Sequence, residues 1–318
     1  MSEGGRLGLA RRLEALRHAL GSEIASALAD AEVTEVMVNP DGRIWIDRLG
    51  EGRSPLGASV SREARDRVIR LVADHAGETV GRDAPRLSAT LPTTGERFQG
   101  ILPPLATAPA FSIRKPAGRI WTLADYVADG AMTKIQATGL RRAVDEHRNI
   151  LVSGGTGSGK TTLANALLAE PGFARDRLVL IEDTRELQPS APDAVSLLTR
   201  PADPAIGVAD LVRDALRLRP DRIVVGEVRD GAAALETLKA WNTGHPGGLC
   251  TLHANTAEDA LRRLEDLILE VAPEPPRRSI GAAVDLIVQM ARTKAGRRVE
   301  GLVAVAGCED GRYLTHDL

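Results

Sequence analysis

Hydrophobic positions along the chain change period several times, and each change predicts an element. Leu9, Leu13, Leu16, Leu20, Ile24 and Leu28 recur at helical spacing, which predicts an amphipathic helix ending near Asp30. The period then shortens. Val33, Val36 and Val38 lead into Asn39-Pro40-Asp41-Gly42, a run of turn residues, and then into the alternating Arg43-Ile44-Trp45-Ile46-Asp47. A strand, a turn and a second strand follow from that order. Ser61-Arg62-Glu63-Ala64 has the form of a capped helix start, with the helix running to about His75. Leu87–Leu91, Thr93-Thr94-Gly95 and Arg97–Leu102 predict another hairpin. Residues 1–108 therefore read as an α+β domain with no catalytic motif of its own.

Pro103-Pro104 and the stretch from Pro109 to Gly118 break regular structure, and residues 109–120 read as a linker. From residue 121 to 318 the pattern alternates. Two helical runs, about Leu123–Asp129 and Thr133–Glu146, precede the short apolar runs Ile150–Val152, Leu178–Ile181, Val195–Leu198, Ile223–Val225 and Leu249–Leu252. Helical patterns beginning at Lys160, Val208 and Ala232 separate most of them. Alternating strands and helices predict a mostly parallel sheet covered on both faces. Leu286–Met290, Ala295-Gly296 and Val299–Val305 read as an antiparallel hairpin on the sheet edge. The fold class expected is α/β.

The run Asn149-Ile150-Leu151-Val152-Ser153-Gly154-Gly155-Thr156-Gly157-Ser158-Gly159-Lys160-Thr161-Thr162 joins an apolar strand to GxxxxGK[ST] and then to a helix. It reads as a phosphate-binding loop, in which successive backbone N–H groups wrap the phosphates and the positive helix end faces the same anion. Gly154, Gly155, Thr156, Gly157, Ser158, Gly159, Lys160, Thr161 and Thr162 are the expected nucleotide contacts. Lys160 is placed to reach the β- and γ-phosphates, and the Thr161 hydroxyl to ligate Mg²⁺.

Two acidic strand ends follow. Leu178–Leu187 sets Glu182, Asp183 and Glu186 where a buried strand ends, the place where open α/β sheets bind ligands. Hydrolysis needs a carboxylate there to orient the attacking water, and the sequence leaves Glu182 and Glu186 open as that group. Arg219–Asp230 delivers Glu227 in the same manner and matches a Walker B element serving the Mg²⁺ and water shell. Its usual acidic residue one position earlier is replaced by Gly226, so metal contact runs partly through water or another carboxylate. Trp241–Gly248 and Thr251–Asn255 are expected to bring His245 and His253 to the same edge for polar work near the phosphate rather than metal ligation.

Bulk properties narrow the class. A length of 318 residues suggests two domains, and 43% hydrophobic residues suit globular folding. Net charge is −2, with five lysines and 36 arginines, so no global charge draws the chain to nucleic acid or anionic membrane, and sequence-specific nucleic-acid binding is not expected. Two cysteines, Cys250 and Cys308, make neither a disulfide framework nor a zinc site. No run is long and apolar enough for a transmembrane span or signal peptide, and a cytoplasmic protein is expected.

The four blocks GGTGSGKTT, IEDTREL, VVGEVRD and TGHPGGLCTLHANT, in this order, resemble the secretion-traffic ATPases of type II and type IV secretion systems. VTEVMVNPDGRIWID, GERFQGILPP and FSIRKP look like the type IV branch, and the compact length resembles the TrbB conjugal-transfer ATPases. The resemblance implies an N-terminal α+β domain joined to a RecA-like P-loop ATPase domain, with ATP and Mg²⁺ as ligands. It implies a homo-oligomer, a hexameric ring, working peripherally at the inner membrane with a secretion or conjugation apparatus. By motif position it makes Lys160 and Thr161 the Walker A residues, Glu186 the catalytic glutamate, Glu227 the Walker B glutamate and His253 the His-box residue. Arg97 and Arg114 match arginines of the N-terminal domain that approach the nucleotide phosphates. ATPases of type IV pili or type II secretion, and a nucleotide-binding module without turnover, remain alternatives at this point.

Overall fold

The computed structural model describes residues 3–49, 51–92, 94–116, 119–200, 204–293 and 296–318, with residues 3–10 as backbone only. Thr93 of the expected turn, Ala117 and Gly118 of the expected linker, and Ala295 of the expected hairpin tip lie outside these residues. The chain divides into two compact units, Met1–Gly118 and Arg119–Leu318.

The first unit is a six-stranded antiparallel sheet with two helices against it. Its strands are β1 (Val33–Val38), β2 (Arg43–Arg48), β3 (Gly52–Ser59), β4 (Arg86–Thr90), β5 (Arg97–Ile101) and β6 (Ala110–Arg114), in spatial order β3-β2-β1-β6-β5-β4. The helices are α1 (Glu3–Ala29), interrupted at Gly21, and α2 (Arg62–Ala76), whose Ser61 cap accepts from the Ala64 amide at 3.2 Å. Leu16, Leu20 and Ile24 of α1 and Val68, Ile69 and Val72 of α2 share one core with Val36, Ile44, Phe98, Phe111 and Ile113 of the sheet. Phe98 and Phe111 stack at 5.4 Å between centroids.

Two features of this unit differ from the sequence expectation. Residues 110–114 were read as part of a linker, yet they form β6, flanked on one side by β1 and on the other by β5. Pro109 and Pro116 bound the strand rather than break it, and the alternation of buried Phe111 and Ile113 with Ser112 is a strand signal that the surrounding prolines mask. The strand β3 was not anticipated, because Gly52, Pro55 and Gly57 are unfavourable inside a sheet. It lies on the sheet edge, where a missing N–H does no harm.

The second unit contains α3 (Leu123–Ala128), α4 (Lys134–Asp145), β7 (Ile150–Gly154), α5 (Lys160–Leu168), α6 (Pro171–Ala174), β8 (Leu178–Glu182), β9 (Ala194–Leu198), α7 (Val208–Ala215), β10 (Arg222–Val225) and α8 (Gly231–Asn242). It continues with β11 (Leu249–Leu252), α9 (Ala257–Ile268), α10 (Arg277–Ala283), β12 (Leu286–Thr293), β13 (Gly296–Glu309) and β14 (Arg312–Asp317). The strand order is β14-β13-β12-β7-β11-β10-β8-β9. Strands β12, β7, β11, β10, β8 and β9 run parallel, and β13 and β14 close the sheet antiparallel. This is an α/β fold with a mostly parallel sheet and an antiparallel edge. Apolar side chains of α7, α8 and α9 fill one face and those of α3, α4 and α5 the other, which is why β7, β8, β10 and β11 are buried along their whole length. Leu286–Met290 forms the expected antiparallel hairpin with β13 and also joins the parallel body through β7, so the outermost strand is β14.

At the amino end of the parallel strands, Arg222 is buried completely and joins four segments. Its Nε donates to Asp176 at 2.5 Å, Nη2 to the carbonyls of Val144 at 2.9 Å and Gly172 at 3.1 Å, and Nη1 to the Gly247 carbonyl at 3.4 Å. Its guanidinium also lies 4.5 Å over the Phe173 ring. Arg222→Met is expected to lower the stability of this unit by about 3 kcal/mol, because it strands Asp176 and several buried carbonyls. Denaturant unfolding followed by circular dichroism measures it.

Candidate functional site

β7 ends in Gly154, whose backbone lies at φ +153°, and an added Cβ there would stand 2.4 Å from the Met290 carbonyl oxygen of β12. Only glycine ends the strand in this way, and the chain then turns sharply through residues 155–158. Gly159, left-handed at φ +96°, begins α5 with no capping side chain, so the first amides of the helix are presented to an anion. The Ser158 hydroxyl is buried with no hydrogen-bond partner among the described residues. An orphaned hydroxyl beside uncapped amides fits a loop built to cradle a phosphate.

Lys160 is buried and points back into this loop. Its Nζ donates to the carbonyls of Gly154 at 3.0 Å and Gly155 at 3.1 Å, and lies 3.3 Å from Nδ1 of His253. His253 follows β11, the neighbour of β7, and its Nε2 is 2.8 Å from Oε1 of Glu227, which follows β10. Burial, and then the Lys160 charge, lower the His253 pKa below its ordinary value, against the opposing pull of Glu227. A neutral ring with Nε2–H donating to Glu227 and Nδ1 accepting from Lys160 satisfies both contacts. The other carboxylate oxygen of Glu227 accepts from Nε of Arg229, whose Nη1 reaches Asp183 at 3.0 Å. Three neighbouring strand ends thus place one chain of charges at the mouth of the loop.

Of the two acidic candidates at the end of β8, Glu182 is committed to the fold. It is buried, and its Oε1 accepts from the amides of Glu186 and Leu187, both at 2.8 Å. Burial raises its pKa in spite of those two amides. Glu186 lies on the loop so formed and is half-buried. The loop is tied to α5 by Asn165, whose Nδ2 donates to the Glu186 carbonyl at 2.9 Å and whose Oδ1 accepts from the Gln188 amide at 2.8 Å. Gly226 has a steric reason as well: an added Cβ would stand 3.1 Å from Cγ of Glu182, so a carboxylate at that position would crowd the one already holding the loop. Thr161, intermediate in exposure, and Thr162 lie in the first turn of α5.

His245 does not share this edge, contrary to expectation. It precedes β11 at the amino end of the sheet, where Gly248 pairs with Ile150, while His253 follows the carboxyl end of the same strand. A four-residue strand separates them by about 13 Å of rise. Arg97 and Arg114 belong to the first unit, where they are directly opposed Cα partners across β5 and β6. Sequence spacing gave no sign of that pairing, because one member lay in the presumed linker.

Several polar residues that support the site were not singled out in the sequence. Gln289 accepts from Ser153 and donates to the Asn255 carbonyl at 3.0 Å, so it joins β12, β7 and the turn after His253. Thr251 donates to the Gly226 carbonyl at 2.6 Å. The signal for Gln289 was present as one amide inside the apolar run Leu286-Ile287-Val288-Gln289-Met290, since a buried polar side chain in such a strand must have a partner.

Residues 19–312 match the family described as Type II/IV secretion system protein. The probable conjugal transfer protein TrbB of Sinorhizobium fredii is 49% identical over 305 residues, covering 95% of this chain and 92% of that protein. The type IV secretion system protein PtlH of Bordetella pertussis is 34% identical over 317 residues, covering 89% of this chain and 92% of that protein. Among solved structures, the pilus retraction motor PilT with bound ADP superposes with a TM-score of 0.62 at 20% identity, covering 88% of this chain and 81% of that one, which bears on the fold alone. With the family matched along nearly the whole chain and a P-loop at the carboxyl end of its parallel sheet, this protein belongs to the type II/IV secretion system protein family.

Proposed function

We propose that the chain hydrolyses ATP with Mg²⁺ and serves as a subunit of a hexameric motor for type IV secretion or conjugative transfer. The observation that carries this reading is the convergence of Lys160, His253 and Glu227 on the mouth of the phosphate loop from three neighbouring elements. The names of the TrbB and PtlH relatives support the choice of apparatus. No helix among the described residues is long and apolar enough to cross a membrane, and the proposed placement is cytoplasmic, peripheral at the inner membrane.

In this reading the loop amides from Gly154 to Thr162 hold the triphosphate, and Lys160 leaves the Gly154 and Gly155 carbonyls to meet the β- and γ-phosphates. Glu186 orients the attacking water, while Glu182 stays bonded to the loop that carries it. The Thr161 hydroxyl and, through water, Glu227 would hold Mg²⁺, which when bound offsets charge on the phosphate oxygens. His253 holds Glu227 in place and registers where Lys160 points. Residues 1–118 act as the N-terminal domain, from which Arg97 and Arg114 supply positive charge to the transferring phosphate. Such an arginine is worth about 10³ to 10⁵ in rate, so domain movement and hydrolysis become coupled.

Phosphate release from purified protein with ATP tests the reading. Lys160→Ala is expected to lower turnover at least about a hundredfold, and wild-type turnover in that variant would overturn the assignment. EDTA is expected to stop phosphate release and added Mg²⁺ to restore it. The two carboxylates separate in a second comparison: Glu186→Gln should reduce kcat by about 10² or more, whereas Glu182→Gln, which keeps an acceptor for both amides, should stay within about threefold of wild type.

A further inference from the structure

β12 and β13 bring two arginines to the side of the phosphate loop away from Glu227. Arg292 and Arg297 are Cα partners across this antiparallel pair, so both side chains leave the same face of the ladder. Nε of Arg297 donates to the Gly157 carbonyl at 3.0 Å. Its Cδ lies 3.1 Å from where a Cβ on Gly159 would stand, and Nη1 of Arg292 lies 3.5 Å from the equivalent point on Gly157. Both guanidinium groups therefore reach the loop itself. Among the described residues neither is ion-paired with a carboxylate. Two like charges held directly opposite each other oppose folding unless an anion comes between them.

The strand order indicates which part of a nucleotide they meet. Glu227 follows β10 and the Glu182–Glu186 loop follows β8, and both strands lie beyond β11 on one flank of β7. β12 lies on the other flank. A triphosphate whose γ-phosphate faces the carboxylates extends its α-phosphate and nucleoside toward β12. We propose that Arg292 and Arg297 form a cationic clamp on the α-phosphate and nucleoside half of the bound nucleotide, an inference that rests on the loop being a nucleotide site. The clamp binds a nucleoside diphosphate more strongly than it binds the terminal phosphates alone.

Calorimetric titration of the full chain with ADP and with inorganic pyrophosphate tests this. In Arg292→Gln/Arg297→Gln, ADP affinity is expected to fall about tenfold or more, as for loss of charge-assisted hydrogen bonds, while pyrophosphate affinity changes less than about threefold. Arg298→Ala, one position along and on the opposite face, should bind ADP as wild type does. Unchanged ADP affinity in the double variant overturns the clamp, and so does an equal loss for ADP and pyrophosphate, which would mean that the arginines merely brace the loop. Should the double variant unfold, the single variants Arg292→Gln and Arg297→Gln each remove one charge, and ADP affinity equal to wild type in both overturns the claim. Failure of the wild-type chain to bind either ligand instead removes the nucleotide reading itself.

Discussion

The second unit is organised around a helix that starts without a cap. α5 begins at Lys160 behind a left-handed glycine, and no side chain closes its first turn. Uncapped amides at a helix start are costly in a protein interior unless something anionic meets them. The neighbouring strand ends meet at that helix start: β7 runs into it, β11 and β10 bring His253 and Glu227 beside it, and β12 and β13 bring two arginines to its other flank.

The parallel sheet sets a physical difficulty that the polar side chains resolve. Strands covered on both faces are apolar throughout, so polar groups inside them need partners from other strands. Thr251, Ser153 and Gln289 find theirs on neighbouring strands or the loops after them, and Glu182 on the amides of the loop that follows its own strand. Asn165 does the same from α5. These bonds limit how far the acidic loop, the histidine and the phosphate loop can move separately. At the opposite end, Arg222 ties together the segments around the amino termini of the strands in the same way.

Local periodicity made most of the elements legible. The capped helix at Ser61, the strands around Asn39-Pro40 and the alternation of strand and helix after residue 121 all appear where the pattern places them. Two of the failures share a cause. β3 and β6 carry glycine or proline in or beside them, and whether such residues break a strand or border it depends on edge position and neighbours, which lie far away in the chain. No helix was anticipated over the residues of α9 and α10, although α9 has a well-defined apolar face. His245 was misplaced because a glycine-rich run gives no indication of which end of the next strand it will occupy.

The amino-acid order by itself determined the phosphate loop, the two acidic strand ends and the α/β class, because each is encoded within a dozen consecutive residues whose backbone needs are local. Tertiary structure alone decided that Glu182 holds the loop on which Glu186 lies, that His253 stands between Lys160 and Glu227, and that Arg97 faces Arg114. Those relations join residues tens of positions apart. They depend on strand order and register, which follow from the packing of the whole unit rather than from any short segment.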